Sequence, residues 1–243
     1  MISFVVPAFN EEASIARTLA ALQEAATSLA EPFEILVVDD ASSDRTAGIA
    51  EHCGARVIAV SHRHIAATRN AGARAARGEL LLFVDADTLV NSAVVRAAVA
   101  AMRAGAVGGG ALVSFDEPIP AWARRVLVLL RFTMRTLRWA AGCFLFCTRA
   151  GFDAVGGFDR RFYGAEEIVM SRALKRVGRF VVLRESVVSS GRKMRMHSGR
   201  EILATIGGLV AGGRRSLRDR RALDHWYRPR REDPAADPRR RSA

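Results

Sequence analysis

Two aspartates separated by one alanine, Asp85 and Asp87, directly follow the apolar run LLLFV at residues 80–84. A short apolar run of this kind predicts a buried strand. In extended backbone, side chains two residues apart point the same way, so both carboxylates could reach one ion. Hard divalent cations such as Mg²⁺ or Mn²⁺ prefer oxygen ligands and fill their remaining positions with water or phosphate. The spacing therefore predicts a metal site at the end of a strand.

Two further polar clusters, PAFNEE at residues 7–12 and DDASSD at residues 39–44, also follow apolar runs. Each has a purely structural interpretation, because Asn10 could cap a helix and Asp39 to Asp44 could form a turn and a cap. Three acidic clusters on one rim would nevertheless repel one another unless a cation is bound there. Together they indicate a site for a metal and a nucleotide diphosphate.

Apolar runs alternate with helical patterns through the first ninety residues, which predicts parallel β-α-β units and an α/β fold. In open sheets of this kind, ligands bind beyond the carboxyl ends of the strands. The predicted strands are ISFVVP, FEILVVDD, ARVIAV and ELLLFV, and the predicted helices are NEEASIARTLAALQEA, SSDRTAGIAEHCG and IAATRNAGARAARG.

The second half of the chain contains strand-like or loop-like pieces in GCFLFCTRAGFDAVGGFD and a helical pattern in YGAEEIVMSRALKRVG. Glu166 and Glu167 lie at the start of that helix. Acidic residues at the start of a helix are favoured by the helix dipole. We expect one main domain over residues 1–195.

The formal charge is +12, from 37 basic and 25 acidic residues, and residues 192–243 hold 15 basic and 6 acidic side chains, or +9 of that total. We expect a helical basic extension at residues 196–227 and a disordered tail at 228–243. No stretch approaches the roughly 20 apolar residues of a membrane-spanning helix, and no signal peptide is evident. Three cysteines without a zinc-binding pattern are typical of reduced thiols, which predicts a cytoplasmic location.

The segment RVLVLLRFTMRTLRW at residues 125–139 has the pattern of a basic amphipathic helix. Three of its arginines, together with the arginine just before it, fall within about 60° of one another on a helical wheel, opposite an apolar face. Two interpretations stay open: a helix packed on the core with a solvated cationic face, or peripheral attachment to an anionic membrane surface. The arginines are Arg124, Arg131, Arg135 and Arg138, and the apolar residues are Trp122, Val126, Leu129, Leu130 and Leu137.

Four segments, in this order, resemble the signatures of the family 2 glycosyltransferases, which have the GT-A fold. They are FVVPAFNEEASI, EILVVDDASSDRT, ATRNAGARAARGELLLFVDADT and GGFDRRFYGAEEIVMSRALKRVGR, and the resemblance covers residues 1–195. It implies a mostly parallel, Rossmann-like sheet flanked by helices, with a nucleotide-sugar-binding half at residues 1–90 and an acceptor and catalytic half at residues 91–195. It also implies transfer of a sugar, with inversion, from a nucleotide diphosphate sugar to a hydroxyl acceptor on a glycan, a lipid or a small molecule. Mg²⁺ or Mn²⁺ would be the cofactor.

The resemblance also assigns roles to individual residues. Glu167 would be the general base with Glu166 beside it, although the family commonly has Asp at the second position, so the choice between the two glutamates stays open. His197 is a further candidate metal ligand, although a lone histidine is more often a surface residue. The remaining assignments are Pro7, Phe9 and Glu11 at the nucleoside, Asp40 at the base, Arg69 and Asn70 near the nucleotide, Asp85 at the ribose and metal, and Asp87 at the metal.

Two other functions fit parts of the sequence. A nucleotidyltransferase should have a glycine-rich, basic phosphate loop after its first strand, whereas PAFNEE at residues 7–12 is acidic. A non-enzymatic membrane-binding or nucleic-acid-binding protein would use the basic tail and would not depend on the acidic clusters. We do not expect nucleic acid to be the partner, and contact with the inner face of the cell membrane is the alternative for the basic segments.

Overall fold

The computed structural model describes residues 1–115, 128, 131–140 and 142–190. In these ranges a central eight-stranded sheet has the order β3-β2-β1-β4-β7-β6-β8-β5. Its strands are β1 (Ile2–Ala8), β2 (Phe33–Asp40), β3 (Arg56–Val60), β4 (Leu80–Val84), β5 (Thr88–Leu89), β6 (Ala106–Phe115), β7 (Phe144–Thr148) and β8 (Arg179–Ser189).

Helices cover both faces of this sheet. They are α1 (Ile15–Thr27), α2 (Thr46–His52), α3 (Ile65–Ala75), α4 (Ser92–Arg103), a helical stretch at residues 131–137 that we call α5, α6 (Arg149–Val155) and α7 (Glu166–Val177). No helix in the described ranges is long and apolar enough to cross a membrane. The predicted extension at 196–227 and the predicted tail at 228–243 lie outside the described residues.

The four strands predicted from the first ninety residues are confirmed, and they pair in parallel. Val5 of β1 faces Leu36 of β2 on one side and Phe83 of β4 on the other. The carboxyl ends of β1 to β4 therefore lie along one side of the sheet. We call the loops that follow these strands, at residues 9–14, 41–45, 61–64 and 85–87, the carboxyl edge.

The second half of the sheet departs from the parallel pattern. Strand β7 runs antiparallel to both β4 and β6, β6 is parallel to β8, and β5 is antiparallel to β8. Strand β6 could not be predicted from the sequence, because it contains the GGG run at residues 108–110 and glycine is depleted in strands. A Cβ at Gly109 would overlap the Val181 carbonyl oxygen and the Phe146 ring, so close packing explains glycine there.

Two apolar layers lie on the two faces of the sheet. Phe4 and Val6 of β1 point into a layer with α1 and α4, while Val5 points into a layer with α3, α6 and α7. A strand covered on both faces reads as a continuous apolar run, as β1, β2 and β4 do.

Gly72 allows α3 to approach β1 and β2 closely. A Cβ at this position would overlap Val5 Cγ1 and lie 2.7 Å from Val38 Cγ2. Both valines are fully buried in the sheet and are stiff at χ1, so neither can move away easily. This close approach positions the first turns of α3 at the carboxyl edge.

We predict that Gly72→Ala lowers the free energy of unfolding by about 1 to 3 kcal/mol, the usual cost of overpacking a core. Gly48→Ala is the matched control, because Gly48 lies inside α2 and its added Cβ would meet nothing within 4 Å. The control should raise stability by about 0.5 to 1 kcal/mol through helix propensity. Urea denaturation of both variants measures the difference, and equal stability of the two would contradict this account of α3 packing.

Candidate functional site

The Asp-Ala-Asp sequence forms a turn and not the extended strand end that its spacing suggested. The Thr88 amide donates to the Asp85 carbonyl at 3.0 Å, and the Asp85 amide donates to the Cys143 carbonyl at 3.2 Å. The expectation of extended backbone was therefore wrong. Burial raises the pKa of the Cys143 thiol, and both Asp85 and Asp87 raise it further. Both carboxylates thus lie near enough to affect the same thiol, which directly precedes β7.

Arg69 connects this turn to the acidic pair at the start of α7. Its guanidinium donates to Asp85 Oδ1 at 2.7 Å, to the Gly142 carbonyl at 2.8 Å and to Glu166 Oε1 at 2.5 Å. Only 2% of the Arg69 residue is exposed. Burial works against its charge, but Asp85, Glu166 and Glu167 outweigh burial and hold the pKa of the guanidinium above its usual value. Arg69 therefore brings two of the predicted site clusters together.

Glu167 has a different environment from Glu166. Its carboxyl group lies against Gly142, where an added Cβ would be 3.3 Å from Glu167 Cδ. Burial and the neighbouring Glu166 raise the pKa of Glu167 to about 8, against the opposing effect of Arg69. A carboxyl group that titrates near neutral pH is suited to accept a proton during catalysis. Glu166 instead forms an ion pair with Arg69, which suits it to a positioning role.

Asp40 organises the loop that follows β3. Its Oδ1 accepts the amides of His62 and Arg63 at 2.6 and 2.8 Å, and its Oδ2 accepts the His64 amide and the Thr68 hydroxyl at 3.0 and 2.8 Å. Burial raises the pKa of Asp40, but these hydrogen bonds outweigh burial and hold it below its usual value. The carboxylate thus fixes residues 62–64 at the carboxyl edge, and contact with a nucleobase stays a prediction.

Asp39, which the sequence reasoning passed over, is the other carboxylate at this strand end. Its Oδ2 accepts the Ser42 amide at 3.3 Å, while the buried Oδ1 has no hydrogen-bond partner among the described residues. A buried acceptor without a partner is costly, and a donor on a ligand would relieve that cost. Side chains alternate along a strand, so Asp39 and Asp40 lie on opposite faces of β2. Two consecutive aspartates at the end of an apolar run were therefore the sequence signal that carboxylates lie on both faces there.

The loops after β1 and β2 are joined side by side. The Asn10 amide donates to Ser42 Oγ at 2.9 Å, and Asn10 Oδ1 accepts the Ser43 amide at 2.8 Å. The Glu11 amide donates to Thr46 Oγ1 at 2.7 Å. Asn10 therefore cross-links two loops and does not cap α1, whose N-cap is Ser14. Pro7 is the penultimate residue of β1, so the three residues predicted at the nucleoside, Pro7, Phe9 and Glu11, lie together at this end of the strand.

Arg63 and His64 were missed from the sequence, yet they lie beside predicted site residues. The Arg63 guanidinium is 3.5 Å from the centroid of the Phe9 ring, a cation–π contact. The His64 imidazole lies 4.4 Å from the Tyr163 ring, and its Nε2 is 2.9 Å from the Arg160 carbonyl oxygen. Burial lowers the pKa of His64, which favours its neutral form. Basic residues three and four positions after a strand gave no specific signal.

Asn70 holds α3 against the loop before α7. Its amide nitrogen donates to the Phe158 carbonyl at 2.8 Å, and its oxygen accepts the Phe158 amide at 2.9 Å. The side chain is buried, so these contacts satisfy it within the protein. The geometry thus gives Asn70 a supporting position behind Arg69.

Strained backbone is concentrated around the carboxyl edge and the acidic pair. Four non-glycine residues there have positive φ: Asn10 at 52°, Ala41 at 59°, Arg63 at 48° and Ala165 at 56°. Such conformations cost of order 1 to 3 kcal/mol and persist where surrounding contacts enforce them, most often at functional sites. Ala165 directly precedes Glu166 and is the N-cap of α7.

Of the predicted metal ligands, Asp85 and Asp87 lie within the described residues. No group of three His, Cys, Asp or Glu side chains forms a metal cluster there, and His197 lies outside these residues. Two carboxylates still fit Mg²⁺ or Mn²⁺, since these ions retain waters and take further ligands from substrate phosphates. A small cavity of about 60 Å³ adjoins Asp87, lined in part by Thr18 and Ser189. A larger depression between the ends of α1 and α4 is remote from these groups.

Comparison with known proteins is consistent with this geometry. The model of the family described as glycosyl transferase family 2 matches residues 3–156. An undecaprenyl-phosphate 4-deoxy-4-formamido-L-arabinose transferase from Pseudomonas paraeruginosa is 39% identical over 99 residues, which cover 36% of this chain and 28% of that protein. A validoxylamine A glucosyltransferase from Streptomyces hygroscopicus subsp. jinggangensis is 34% identical over 108 residues, 42% of this chain and 25% of that protein. The chain thus matches less than a third of the length of these relatives.

Solved structures share the fold. A mannosyltransferase from Pyrobaculum calidifontis, in complex with GDP-Man and Mn²⁺, has a TM-score of 0.65 and 20% identity, covering 98% of this chain and 67% of that one. S. aureus TarS has a TM-score of 0.62 and 20% identity, covering 79% and 61%. Glucosyl-3-phosphoglycerate synthase from Mycobacterium tuberculosis, with Mn²⁺ and UDP, has a TM-score of 0.58 and 20% identity, covering 87% and 77%. The expected GT-A fold is thereby confirmed.

We predict that Glu167→Gln stabilises the folded chain increasingly as the pH rises from 5 to 8. Between the ordinary carboxyl pKa of 4.5 and the value of about 8 in the folded chain, the folded state keeps a proton that the unfolded state has lost. The wild-type free energy of unfolding therefore falls as pH rises through this window. Glutamine lacks this titration, so the difference in melting temperature should widen with pH. Glu24→Gln, on the exposed face of α1, should show no such trend; a constant difference for both would contradict the raised pKa.

Proposed function

Because the chain belongs to glycosyl transferase family 2, we propose that it transfers a sugar from a nucleotide diphosphate sugar to an acceptor hydroxyl, with inversion and with Mg²⁺ or Mn²⁺. The observation that carries this proposal is the Arg69 network, which joins Asp85 to Glu166 while the adjacent Glu167 has a pKa of about 8. In this proposal the carboxylate that binds the donor diphosphate through a metal, Asp85, lies next to the proton acceptor, Glu167.

In this mechanism the acceptor oxygen attacks the anomeric carbon while its proton passes to Glu167. The bond from the anomeric carbon to the diphosphate oxygen breaks, and the nucleotide diphosphate leaves with the bonding electrons. A single displacement of this kind inverts the anomeric centre. Glu166 and Arg69 act as positioning residues, because their ion pair fixes the first turn of α7 relative to the turn at Asp85.

The donor occupies the carboxyl edge in this proposal. Pro7, Phe9 and Glu11 border the nucleoside, and the buried Asp39 Oδ1 or Asp40 accepts an N–H from the base. Asp85 and Asp87 hold the divalent cation, whose chemistry there is to neutralise negative charge on the departing diphosphate. The solved relatives carry UDP, UDP-GlcNAc or GDP-Man, which makes uridine and guanosine donors the first to test.

Donor binding is tested by a thermal-shift screen of UDP-, GDP- and dTDP-sugars with and without Mn²⁺. A ligand at 100 times its dissociation constant stabilises the fold by about 2.7 kcal/mol, which corresponds to roughly 5 to 10 °C for a chain of this size. Asp87→Asn should abolish the part of the shift that depends on Mn²⁺. Glu51→Gln, an exposed carboxylate on α2, is the matched control and should leave the shift unchanged. Full metal dependence in folded Asp87→Asn would refute the metal assignment.

The chemical step is tested by Glu167→Gln, which keeps the size and hydrogen bonding of the side chain but cannot accept a proton. Single-turnover transfer should fall by about 10² to 10⁴, the usual scale for general base catalysis, while donor affinity persists. Glu166→Gln should instead lower stability, because it leaves the buried Arg69 with less compensating charge. Wild-type transfer by Glu167→Gln together with an inactive but folded Glu166→Gln would assign the base to Glu166.

A further inference from the structure

The outer face of α5 is apolar as well as basic. Phe132 is 68% exposed, and Val128, four residues earlier, is 69% exposed. Arg135 and Arg138 are exposed on the same short segment. The arginines were expected from the sequence, but large apolar side chains exposed among them were not.

Contacts between α5 and α7 combine these residues into one larger surface. The Arg172 guanidinium lies 4.9 Å from the Trp139 ring, Lys175 Nζ donates to the Leu137 carbonyl, and the Ala140 amide donates to Ser171 Oγ at 3.1 Å. The C-terminal half of α7 adds exposed residues of the same two kinds. We call the combined set the basic–apolar surface: Val128, Phe132, Arg135, Leu137, Arg138, Arg172, Arg176 and Val177.

The basic–apolar surface carries positive charge without acidic residues in its two segments. Residues 131–140 and 168–177 contain six Arg or Lys and no Asp or Glu. Burial lowers the pKa of Lys175, and the nearby charges of Arg138 and Arg172 lower it further. Like charges held this close favour an anionic partner that covers several of them at once.

The exposed apolar residues distinguish between the two interpretations of this helix. A solvated cationic face does not explain why Phe132 and Val128 are about two-thirds exposed, because apolar side chains in water are unfavourable. Nucleic acid would engage the arginines through phosphates but would leave the two apolar side chains in water. An anionic lipid surface accommodates both kinds, since apolar side chains enter the acyl boundary while arginines meet the headgroups.

We propose that the basic–apolar surface binds an anionic membrane. It adjoins the acidic pair, because Ser171 accepts a hydrogen bond from the Ala140 amide and donates one to the Glu167 carbonyl, one turn earlier in α7. Resting on the proposed function, this placement makes the acceptor a lipid-borne molecule whose hydroxyl reaches Glu167 from the bilayer surface. The acceptor would then be engaged without leaving the membrane.

The test is sedimentation of the full chain with vesicles of equal parts phosphatidylglycerol and phosphatidylcholine, compared with phosphatidylcholine alone. Each basic residue near an anionic surface is worth about 1 kcal/mol, so Arg135→Glu/Arg138→Glu should lower the partition coefficient at least about thirtyfold. Phe132→Ser should lower it by about tenfold, through the lost insertion of the ring. Wild-type chain should bind pure phosphatidylcholine much more weakly.

A matched control separates this surface from general charge attraction. Arg74→Glu/Arg96→Glu makes the same change in net charge at exposed positions on α3 and α4, and should lower the partition coefficient less than about threefold. An equal loss in the control, or no loss with Phe132→Ser, would overturn the proposal. Tighter binding of duplex DNA than of vesicles, sensitive to the arginines and insensitive to Phe132, would also overturn it and favour nucleic acid.

Donor binding in the same variants, measured by thermal shift without vesicles, keeps this inference separate from the proposed function. The surface variants should bind the donor as wild type does. Vesicle binding lost with donor binding retained supports the surface assignment, whereas wild-type chain that binds donor but no vesicles contradicts it and leaves the proposed glycosyl transfer intact.

Discussion

One buried cation, Arg69, organises the candidate site. A guanidinium that is almost fully withdrawn from water is stable only where carboxylates and carbonyls surround it with good geometry. Here those partners come from three separate parts of the chain: the turn after β4, the segment before β7 and the start of α7. The contacts that compensate the charge of Arg69 therefore fix the turn at Asp85, proposed to bind the donor, relative to the start of α7, which carries the proposed base. The close packing at Gly72 and the pair of hydrogen bonds at Asn70 hold the helix that carries Arg69.

The parallel half of the fold could be predicted from the sequence because its strands are buried on both faces. Such strands appear as apolar runs, and each is followed by polar residues where the chain leaves the sheet. The antiparallel half could not be predicted in the same way, since β6 is interrupted by glycines that pack against β7 and β8. Glycine gives no strand signal, and its reason for being there exists only in the folded sheet.

In the candidate site, too, features that depend on a local sequence pattern could be predicted, and features that depend on contacts between distant residues could not. The acidic clusters at Asp39 to Asp44 and at Asp85 to Asp87 could be located because a charge after an apolar run is a local pattern. Their partners could not be identified, because Arg69 meets Glu166 across 97 residues and Asp40 binds amides 22 to 24 residues away. No individual site role could be assigned to Asp39, Arg63 or Gly142 for this reason. What distinguishes them is, respectively, a buried acceptor with no partner among the described residues, a contact with an aromatic ring and a close approach to Glu167, and these features exist only in the folded chain.

The Arg69 network also bears on how the chain folds. The sequence predicts a donor half at residues 1–90 and an acceptor half at residues 91–195, and β4 of the first pairs along its whole length with β7 of the second. A chain in which only residues 1–90 had folded would leave β4 as an open sheet edge and Arg69 with Asp85 as its one carboxylate partner. Both are unfavourable, the first through unpaired backbone and the second through a poorly compensated buried charge. The two halves should therefore form a single cooperative unit, so that partly folded intermediates are sparsely populated and the site is assembled in one step with the sheet.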